Sequence, residues 1–169
     1  MALQRALETE ISEQVRSLRR YALMLTRDAD AAEDLVQETL VKALAAAERW
    51  RPGSDLRVWL FRILHNTHID ELRKRKSRAA AEAEIEPAVD HADASQRMEL
   101  TQVLEALDQL PDAQKKPILL VAQEGMSYAD AARVLKLPLG TFYSRLARGR
   151  AALRHLIEGE AKPKPRLVA

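Results

Sequence analysis

Cysteine is absent from the 169-residue chain, and aromatic residues make up only 4 % of it. Without a thiol, the chain forms no disulfide, no thiolate metal site and no cysteine nucleophile. The scarcity of aromatic and β-branched residues, against abundant Ala, Leu, Glu and Arg, favours helices over sheets. The sequence therefore predicts an all-α protein with small, leucine-based cores.

Long apolar runs are also missing. No segment reaches the roughly 18 consecutive apolar residues that are typical of a membrane-spanning helix. The N-terminal stretch MALQRALETEISEQ lacks the continuous apolar centre of a secretory signal and soon carries acids. We therefore expect a soluble, cytoplasmic protein without membrane insertion.

Charge is nearly balanced overall, with a net value of +2, but it is distributed unevenly. Residues 73–78 hold five basic side chains and no acid, and residues 139–157 hold four arginines and no acid. Between them, residues 79–95 carry five acids and neither Lys nor Arg. This pattern indicates two basic modules joined by an acidic linker.

Helical periodicity, interrupted at proline and glycine, predicts two small helical domains. Before the linker, three helices are expected, at about 10–26, 30–50 and 54–76, with Ser54 or Asp55 capping the third. After the linker, four shorter helices are expected, at about 96–109, 112–124, 127–135 and 140–157. The predicted organisation is a first domain at 1–78, a linker at 79–95, a second domain at 96–158 and a loose tail at 159–169. A frayed helix is the alternative for the alanine-containing linker.

The stretch SYADAARVLKLPLGTFYSRLARGR has the form of a helix-turn-helix. Ser127 and Asp130 form a capping box, and KLP makes the turn. On the second helix, one apolar stripe faces the core: Phe142, Leu146, Gly149, Leu153, Leu156 and Ile157. The opposite arc carries the small residues Ser144, Ala147 and Ala151, with arginines on both rims. This slim face with cationic rims suits the DNA major groove, although a solvated face is the alternative.

The second predicted helix, in DADAAEDLVQETLVKALAAAERW, has a mixed outer face. The residues expected to face inward are Val36, Leu40, Ala43, Leu44 and Ala47. The residues expected to face outward are Asp34, Gln37, Glu38 and Lys42, together with the apolar Leu35 and Val41. Apolar side chains among acids indicate a docking surface for a helical or basic partner, and a wide amphipathic stripe is the competing explanation.

The third predicted helix carries a narrow polar strip, formed by Arg62, Asn66, Asp70 and Arg73, that leads into the basic run RKRKSR. The strip is either a ladder of i, i+4 pairs or a surface that contacts bases and backbone. His65 and His68 have no third ligand and do not predict a metal site. We expect neither a metal nor another cofactor.

These segments, in this order, resemble the extracytoplasmic-function (ECF) group of bacterial sigma factors over about residues 10–156. DAAEDLVQETLVKA is similar to the helix that docks on RNA polymerase in that family. LRVWLFRILHNTHIDELRKRKSR is similar to the helix that binds the −10 promoter element. The stretch LDQLPDAQKKPILLVAQEGMSYADAARVLKLPLGTFYSRLARGRAALR is similar to the domain that binds the −35 element. PGSDLRVWLFRILHN is also close to the subgroup that serves the general stress response of some Gram-negative bacteria.

The resemblance implies a protein that is not an enzyme and that directs core RNA polymerase to promoter DNA. It implies contacts to core polymerase by Asp34, Leu35, Gln37 and Glu38. It implies contacts to the −10 element by Arg51, Ser54, Asp55, Arg62, Asn66, Arg73, Lys74 and Arg75. It implies contacts to the −35 element by Thr141, Tyr143, Ser144, Arg145, Arg148 and Arg150. It also implies an anti-sigma factor as a partner and a place for the acidic linker in the RNA exit path of the polymerase.

Phe142 and Tyr143 depart from the aliphatic and basic residues that relatives often carry after Gly-Thr, so no −35 sequence can be carried over. Two other interpretations remain open: a sigma mimic that sequesters an anti-sigma factor, and a stand-alone helix-turn-helix regulator. A mimic would tend to lose the basic strip, and a regulator leaves the first half of the chain unexplained. For an enzyme, the sequence lacks a convergent nucleophile, acid–base pair or metal set.

Overall fold

The computed structural model describes residues 2–79 and 97–160, and within these ranges the chain forms helices and no strand. The helices are α1 (Ala2–Thr26), α2 (Ala29–Ala45), α3 (Leu56–Ala79), α4 (Arg97–Gln109), α5 (Asp112–Ile118), α6 (Tyr128–Leu135) and α7 (Leu139–Glu160). A 3₁₀ turn follows α2 at Ala47–Arg49, and a π-helical segment, Leu119–Gln123, continues α5. The all-α prediction is confirmed. Most of the predicted acidic linker, and the tail from residue 161, lie outside the described residues.

Helices α1, α2 and α3 form the first module, in which α2 packs against both of its neighbours. Its core is leucine-rich, as expected, but it centres on two aromatic rings: Tyr21 and Phe61 are fully buried with ring centroids 5.4 Å apart. Burial of each such large side chain contributes about 1.5–3 kcal/mol. The turn between α1 and α2 is fixed by Asp28, whose side chain accepts a hydrogen bond from the Ala31 amide at 2.7 Å.

Helices α4 to α7 form the second module, with α4 and α5 packed against α7. Gly149 allows α7 to approach α5 closely. A Cβ at this position would lie 2.9 Å from the Gln114 carbonyl oxygen and 2.9 Å from the Ile118 Cδ1 atom. The predicted apolar stripe on α7 therefore works as expected, and glycine belongs to it because the neighbouring backbone leaves no room for a side chain.

The predicted helix over 112–124 changes its hydrogen-bonding pattern partway along. Pro117 lies inside α5 and supplies no amide hydrogen, and the backbone widens into the π-helical segment two residues later. The Glu124 amide closes this segment on the Leu119 carbonyl at 3.1 Å. Gly125 then takes a left-handed conformation with φ of 63°, which ends the helix.

The two modules pack against each other, with α3 against α6 and α1 against the π-helical segment. Glu124, whose side chain is fully buried, receives the guanidinium groups of Arg20 and Arg57 from the first module. A second ion pair joins Arg27 to Asp108 at 2.8 Å. No sequence pattern predicted this interface.

None of the described helices has the length and apolar character needed to cross a membrane.

Candidate nucleic-acid and polymerase interface

The helix-turn-helix is formed by α6 and α7. Ser127 caps α6 by accepting a hydrogen bond from the Asp130 amide at 3.1 Å, as predicted. Lys136 ends α6 in a left-handed conformation with φ of 54°, and the Phe142 amide bonds the Pro138 carbonyl at 3.0 Å. These two backbone arrangements set the angle between the helices. The buried Phe142 and Leu146 anchor one side of α7 in the core, and the opposite side faces solvent.

The slim face of α7 is open to solvent. Ser144, Ala147 and Ala151 are exposed, as the helical wheel predicts. The backbone can therefore approach a groove closely along this arc. Thr141, in the first turn of α7, is half-buried beside this face.

The arginines of the rims are in two different environments. Arg148, Arg150 and Arg154 are exposed. Arg145 is half-buried and lines a cavity of about 270 Å³ between the two modules, together with His65 and Asp112. In this arrangement Arg145 lies toward α3. It therefore does not share an exposed surface with the other predicted −35 residues.

Tyr143 is 49 % exposed and its ring meets that of Tyr128 edge-on, with the centroids 5.2 Å apart. The Tyr128 hydroxyl accepts a hydrogen bond from Arg150 Nη1 at 3.1 Å. Tyr128 could not be recognised from the sequence, because at the first position of α6 it looks like an ordinary packing residue.

The polar strip on α3 leads out of the bundle as predicted. Arg62 and Arg73 are exposed and Asn66 is half-buried between them. The following Lys74 and Arg75 are exposed as well. Asp70, the remaining residue of the strip, is exposed and lies 4.0 Å from Arg73, so one acid borders the basic run. The run itself presents a cationic surface at the C-terminal end of α3, where duplex or single-stranded backbone phosphates can bind.

The loop before α3 is held by its own side chains. The Ser54 hydroxyl donates to the Arg51 carbonyl at 2.7 Å, and Asp55 Oδ1 accepts from the Val58 amide at 3.1 Å. Asp55, rather than Ser54, therefore caps α3. Gly53, with φ of 89°, allows the tight turn from Arg51 to Ser54. Three predicted −10 residues, Arg51, Ser54 and Asp55, are exposed at this loop, although Ser54 and Asp55 also shape it.

The outer face of α2 differs from the prediction in its apolar residues. Leu35 is fully buried and Leu44 is 48 % exposed, so both predicted orientations are wrong. The reason is Thr39, which is fully buried because its hydroxyl donates to the Leu35 carbonyl at 2.7 Å. Because this hydrogen bond satisfies the hydroxyl, Thr39 can be buried, and the buried stripe of α2 is centred on it.

The exposed face of α2 then combines Asp34 and Gln37 with Val41, which is 66 % exposed, and Leu44. Glu38 lies beside them and pairs with Lys42 at 2.7 Å. The hydrogen bond from Lys42 holds the pKa of the Glu38 carboxyl below its ordinary value. Leu35 supports this surface from inside and adds no contact area to it.

His65 and His68 are both buried on α3. His65 lines the cavity between the two modules, and His68 lines a smaller cavity beside Leu25 and Thr26 of α1. Burial is the main cause that lowers the pKa of each imidazole to about 4, and the nearby Lys116 adds to it. Among the residues that the structure describes, no three His, Cys, Asp or Glu side chains come together as a metal site.

Comparison with known proteins assigns each module. The family model for the Sigma2 domain of PhyR matches residues 11–65, and the model for sigma-70 region 4 matches residues 91–153. ECF RNA polymerase sigma factor EcfG of Rhodopseudomonas palustris (strain TIE-1) is 38 % identical over 160 residues, covering 93 % of this chain and 88 % of EcfG.

Two solved structures are similar over most of the chain. The sigma factor RpoE from Bartonella quintana, in complex with the anti-sigma factor NepR, has a TM-score of 0.81 and 34 % identity and covers 90 % of this chain and 97 % of RpoE. CnrH, in complex with the cytosolic domain of CnrY, has a TM-score of 0.71 and 28 % identity and covers 94 % of this chain and 91 % of CnrH. The resemblance found in the sequence is thus confirmed: the chain belongs to the ECF group of RNA polymerase sigma factors, which is not a class of enzymes.

Proposed function

We propose that this chain binds core RNA polymerase in the cytoplasm and directs it to promoters by contacting a −35 element with α7 and a −10 element with α3. The proposed domains are the first module at 1–78 and the second at 96–158. The observation that carries the proposal is the pair of acid-poor cationic surfaces, one on each module, beside a separate acidic and apolar face on α2. A protein that needed only one DNA contact would have no use for this arrangement.

The docking surface for core polymerase consists of Asp34, Gln37 and Glu38 with the exposed Val41 and Leu44. Acids around two apolar side chains match a partner helix that presents apolar residues flanked by bases. Leu35, which the sequence placed among these contacts, acts instead by keeping α2 seated on α1 and α3.

Strand capture at the −10 element uses the loop around Gly53 and the polar strip that starts at Arg62. Unstacking a base costs a few kcal/mol, which contacts to the flipped base and cations on the backbone can offset. Arg62 and Asn66 lie along the first half of α3, and Arg73, Lys74 and Arg75 continue toward its C-terminal end. The protein therefore favours the melted strand without covalent chemistry.

Contact with the −35 element uses the slim face of α7. Ser144 lies at the centre of this face, where the backbone comes closest to base edges. Thr141 and Tyr143 lie near the N-terminal end, and Arg148 and Arg150 reach phosphates or guanine edges from the rims. Arg145 joins this set only when α7 moves away from α3.

The proposed function requires the modules to separate. The −10 and −35 elements are named for positions about 25 base pairs apart, or roughly 85 Å along B-form DNA. A compact chain of this length has a radius of gyration of about 15 Å, too small to reach both sites. We infer that assembly with core polymerase opens the interface formed by Glu124 with Arg20 and Arg57.

An anti-sigma factor is a further proposed partner. RpoE was solved in complex with the anti-sigma factor NepR, and CnrH was solved in complex with the cytosolic domain of CnrY. A protein bound across both modules would stabilise their closed arrangement and cover Arg145.

A sigma mimic is the second candidate, and the packed modules favour it, because a protein that only sequesters an anti-sigma factor never needs to open. Against it, the exposed basic run Arg73–Arg75 and the cationic rims of α7 are of no use to a mimic.

In vitro transcription separates the candidates. The chain is combined with bacterial core polymerase and a randomised promoter library, and run-off products are sequenced. We expect a defined pair of elements to be enriched, and Arg145→Ala to reduce transcription from them by about ten-fold or more. Arg16→Ala, on the exposed face of α1, is the matched control. Failure to bind core polymerase would favour the mimic.

A further inference from the structure

Tyr128, the first residue of α6, touches two side chains of the proposed −35 surface on α7. Its hydroxyl accepts the Arg150 Nη1 hydrogen bond at 3.1 Å, and its ring centroid lies 5.8 Å from Arg150 Cζ. The same ring meets the Tyr143 ring edge-on, at an interplanar angle of 77°. We propose that Tyr128 is a positioning residue that holds Tyr143 and Arg150 in the orientation that DNA binding needs. This inference rests on the proposed −35 contact.

Tyr128 is itself firmly held. It is half-buried, and its ring lies 6.0 Å from that of the fully buried Phe142. It also directly follows Ser127, whose side chain caps α6. One end of the Tyr128 ring is therefore anchored in the core of the second module, while its hydroxyl reaches the surface. Such a side chain transmits the rigidity of the core to residues that are exposed.

Arg150 and Tyr143 both gain from this support. An exposed arginine has many rotamers, and ordering it on DNA costs conformational entropy. The hydrogen bond and the cation–π contact to Tyr128 restrict the guanidinium before DNA arrives. The edge-to-face contact restricts the Tyr143 ring in the same way. Pre-organisation of both side chains raises affinity without any DNA contact by Tyr128.

The test uses the full-length chain assembled with core polymerase and a promoter fragment enriched from the library. Tyr128→Phe removes the hydroxyl and keeps the ring, so it isolates the Arg150 contact. We expect it to weaken promoter binding by about three- to ten-fold. Combined with Arg150→Ala, it should cause no loss beyond that of Arg150→Ala alone. Tyr128→Leu, which also removes the ring contact to Tyr143, should weaken binding further than Tyr128→Phe.

Tyr21→Phe is the matched control, because the buried Tyr21 hydroxyl has no hydrogen-bond partner among the described residues. It should leave promoter affinity unchanged, and the urea midpoint of Tyr128→Phe should stay close to that of the wild type.

Each outcome is decisive. Suppose that Arg150→Ala weakens promoter binding. If Tyr128→Phe then has no effect, or if its effect adds to that of Arg150→Ala in the double variant, the positioning role is overturned and the −35 contact stands. If Tyr128→Leu equals Tyr128→Phe, the role toward Tyr143 is overturned. If Arg150→Ala itself has no effect, the proposed contact at Arg150 fails and this inference fails with it.

Discussion

Arg20 and Glu124, which are 104 residues apart in the chain, form a two-point ion pair between the modules. The Arg20 Nε and Nη2 atoms donate to the Glu124 carboxylate at 3.0 and 2.9 Å. Arg57 adds a bond to the same carboxylate at 3.1 Å and one to the Glu124 carbonyl at 2.6 Å. Because the Glu124 carboxylate is fully buried, it depends on these partners for the stabilisation that water would otherwise supply.

Glu124→Gln should therefore loosen the contact between the modules. Both guanidinium groups are partly exposed, so we expect a loss at the low end of the range for buried pairs, about 2–3 kcal/mol. Urea denaturation measures the loss, and small-angle scattering should show a larger radius of gyration.

Glu33→Gln is the control for Glu124→Gln. Glu33 pairs with Arg19 through the same two-point geometry, with both distances 2.9 Å, but on the exposed surface of the first module. Exposed pairs contribute little, so no measurable change is expected there. Equal effects of the two substitutions would show that Glu124 does not hold the modules together.

Gly149→Ala should destabilise the second module, although alanine is normally the better helix former. Its Cβ would lie 2.9 Å from the Gln114 carbonyl oxygen, so α7 must shift away from α5. Overpacking of this kind costs about 1–3 kcal/mol, which outweighs the gain in helix propensity. Gly159→Ala, with no atom within 4 Å of the new Cβ, is the control. A urea midpoint that rises for Gly149→Ala would contradict the tight packing.

Helix α7 shows how much of the site the sequence could predict. Its apolar stripe, its slim outer face and its exposed arginines all follow from a period of 3.6 residues, because a helix on the surface of a small bundle has one neighbour side and one solvent side. Helix α2 has neighbours on two sides. There Thr39 is buried because its hydroxyl bonds the helix's own backbone, but as a polar residue it does not count toward an apolar stripe in the sequence. The predicted orientations of Leu35 and Leu44 were therefore wrong.

The contact between the modules could not be predicted from the sequence. Glu124 stands just before a helix-ending glycine, and nothing in its local pattern distinguishes it from a solvated charge. Its partners lie in α1 and at the start of α3, and ion pairs between distant residues leave no periodic signal. For the same reason the half-buried position of Arg145 follows only from the packing of α3 against the second module.

Val41→Ala should weaken polymerase binding, whereas Leu35→Ala should lower stability. Val41 is 66 % exposed, so its loss should leave the urea midpoint nearly unchanged and weaken binding to core polymerase several-fold. Leu35 is fully buried, so truncation should cost about 2–5 kcal/mol of stability. Unfolding curves and a pull-down with core polymerase measure the two effects. Undiminished binding of Val41→Ala would remove the outer face of α2 from the docking surface.

Acidification should weaken the fold between pH 6.5 and about 4, because His65 and His68 are buried and uncharged in the folded chain. Burial, and then Lys116, lower their pKa values from 6.5 to about 4, while Asp112 opposes the shift. In the unfolded chain the same imidazoles take up protons near pH 6.5. Their contribution is therefore fully present above pH 6.5 and is lost as the pH falls toward 4.

Urea midpoints measured at pH 7.5, 6.5, 5.5 and 5 test this dependence in a range where most carboxylates stay ionised. The wild type should lose stability progressively below pH 6.5. His65→Gln/His68→Gln should start lower, because it loses buried packing, but should show a flatter profile over the same range. His155→Gln, at an exposed position of α7, should keep the wild-type slope. The double variant removes only the two buried imidazoles. If its stability fell with pH as steeply as that of the wild type, the acid sensitivity would not come from His65 and His68.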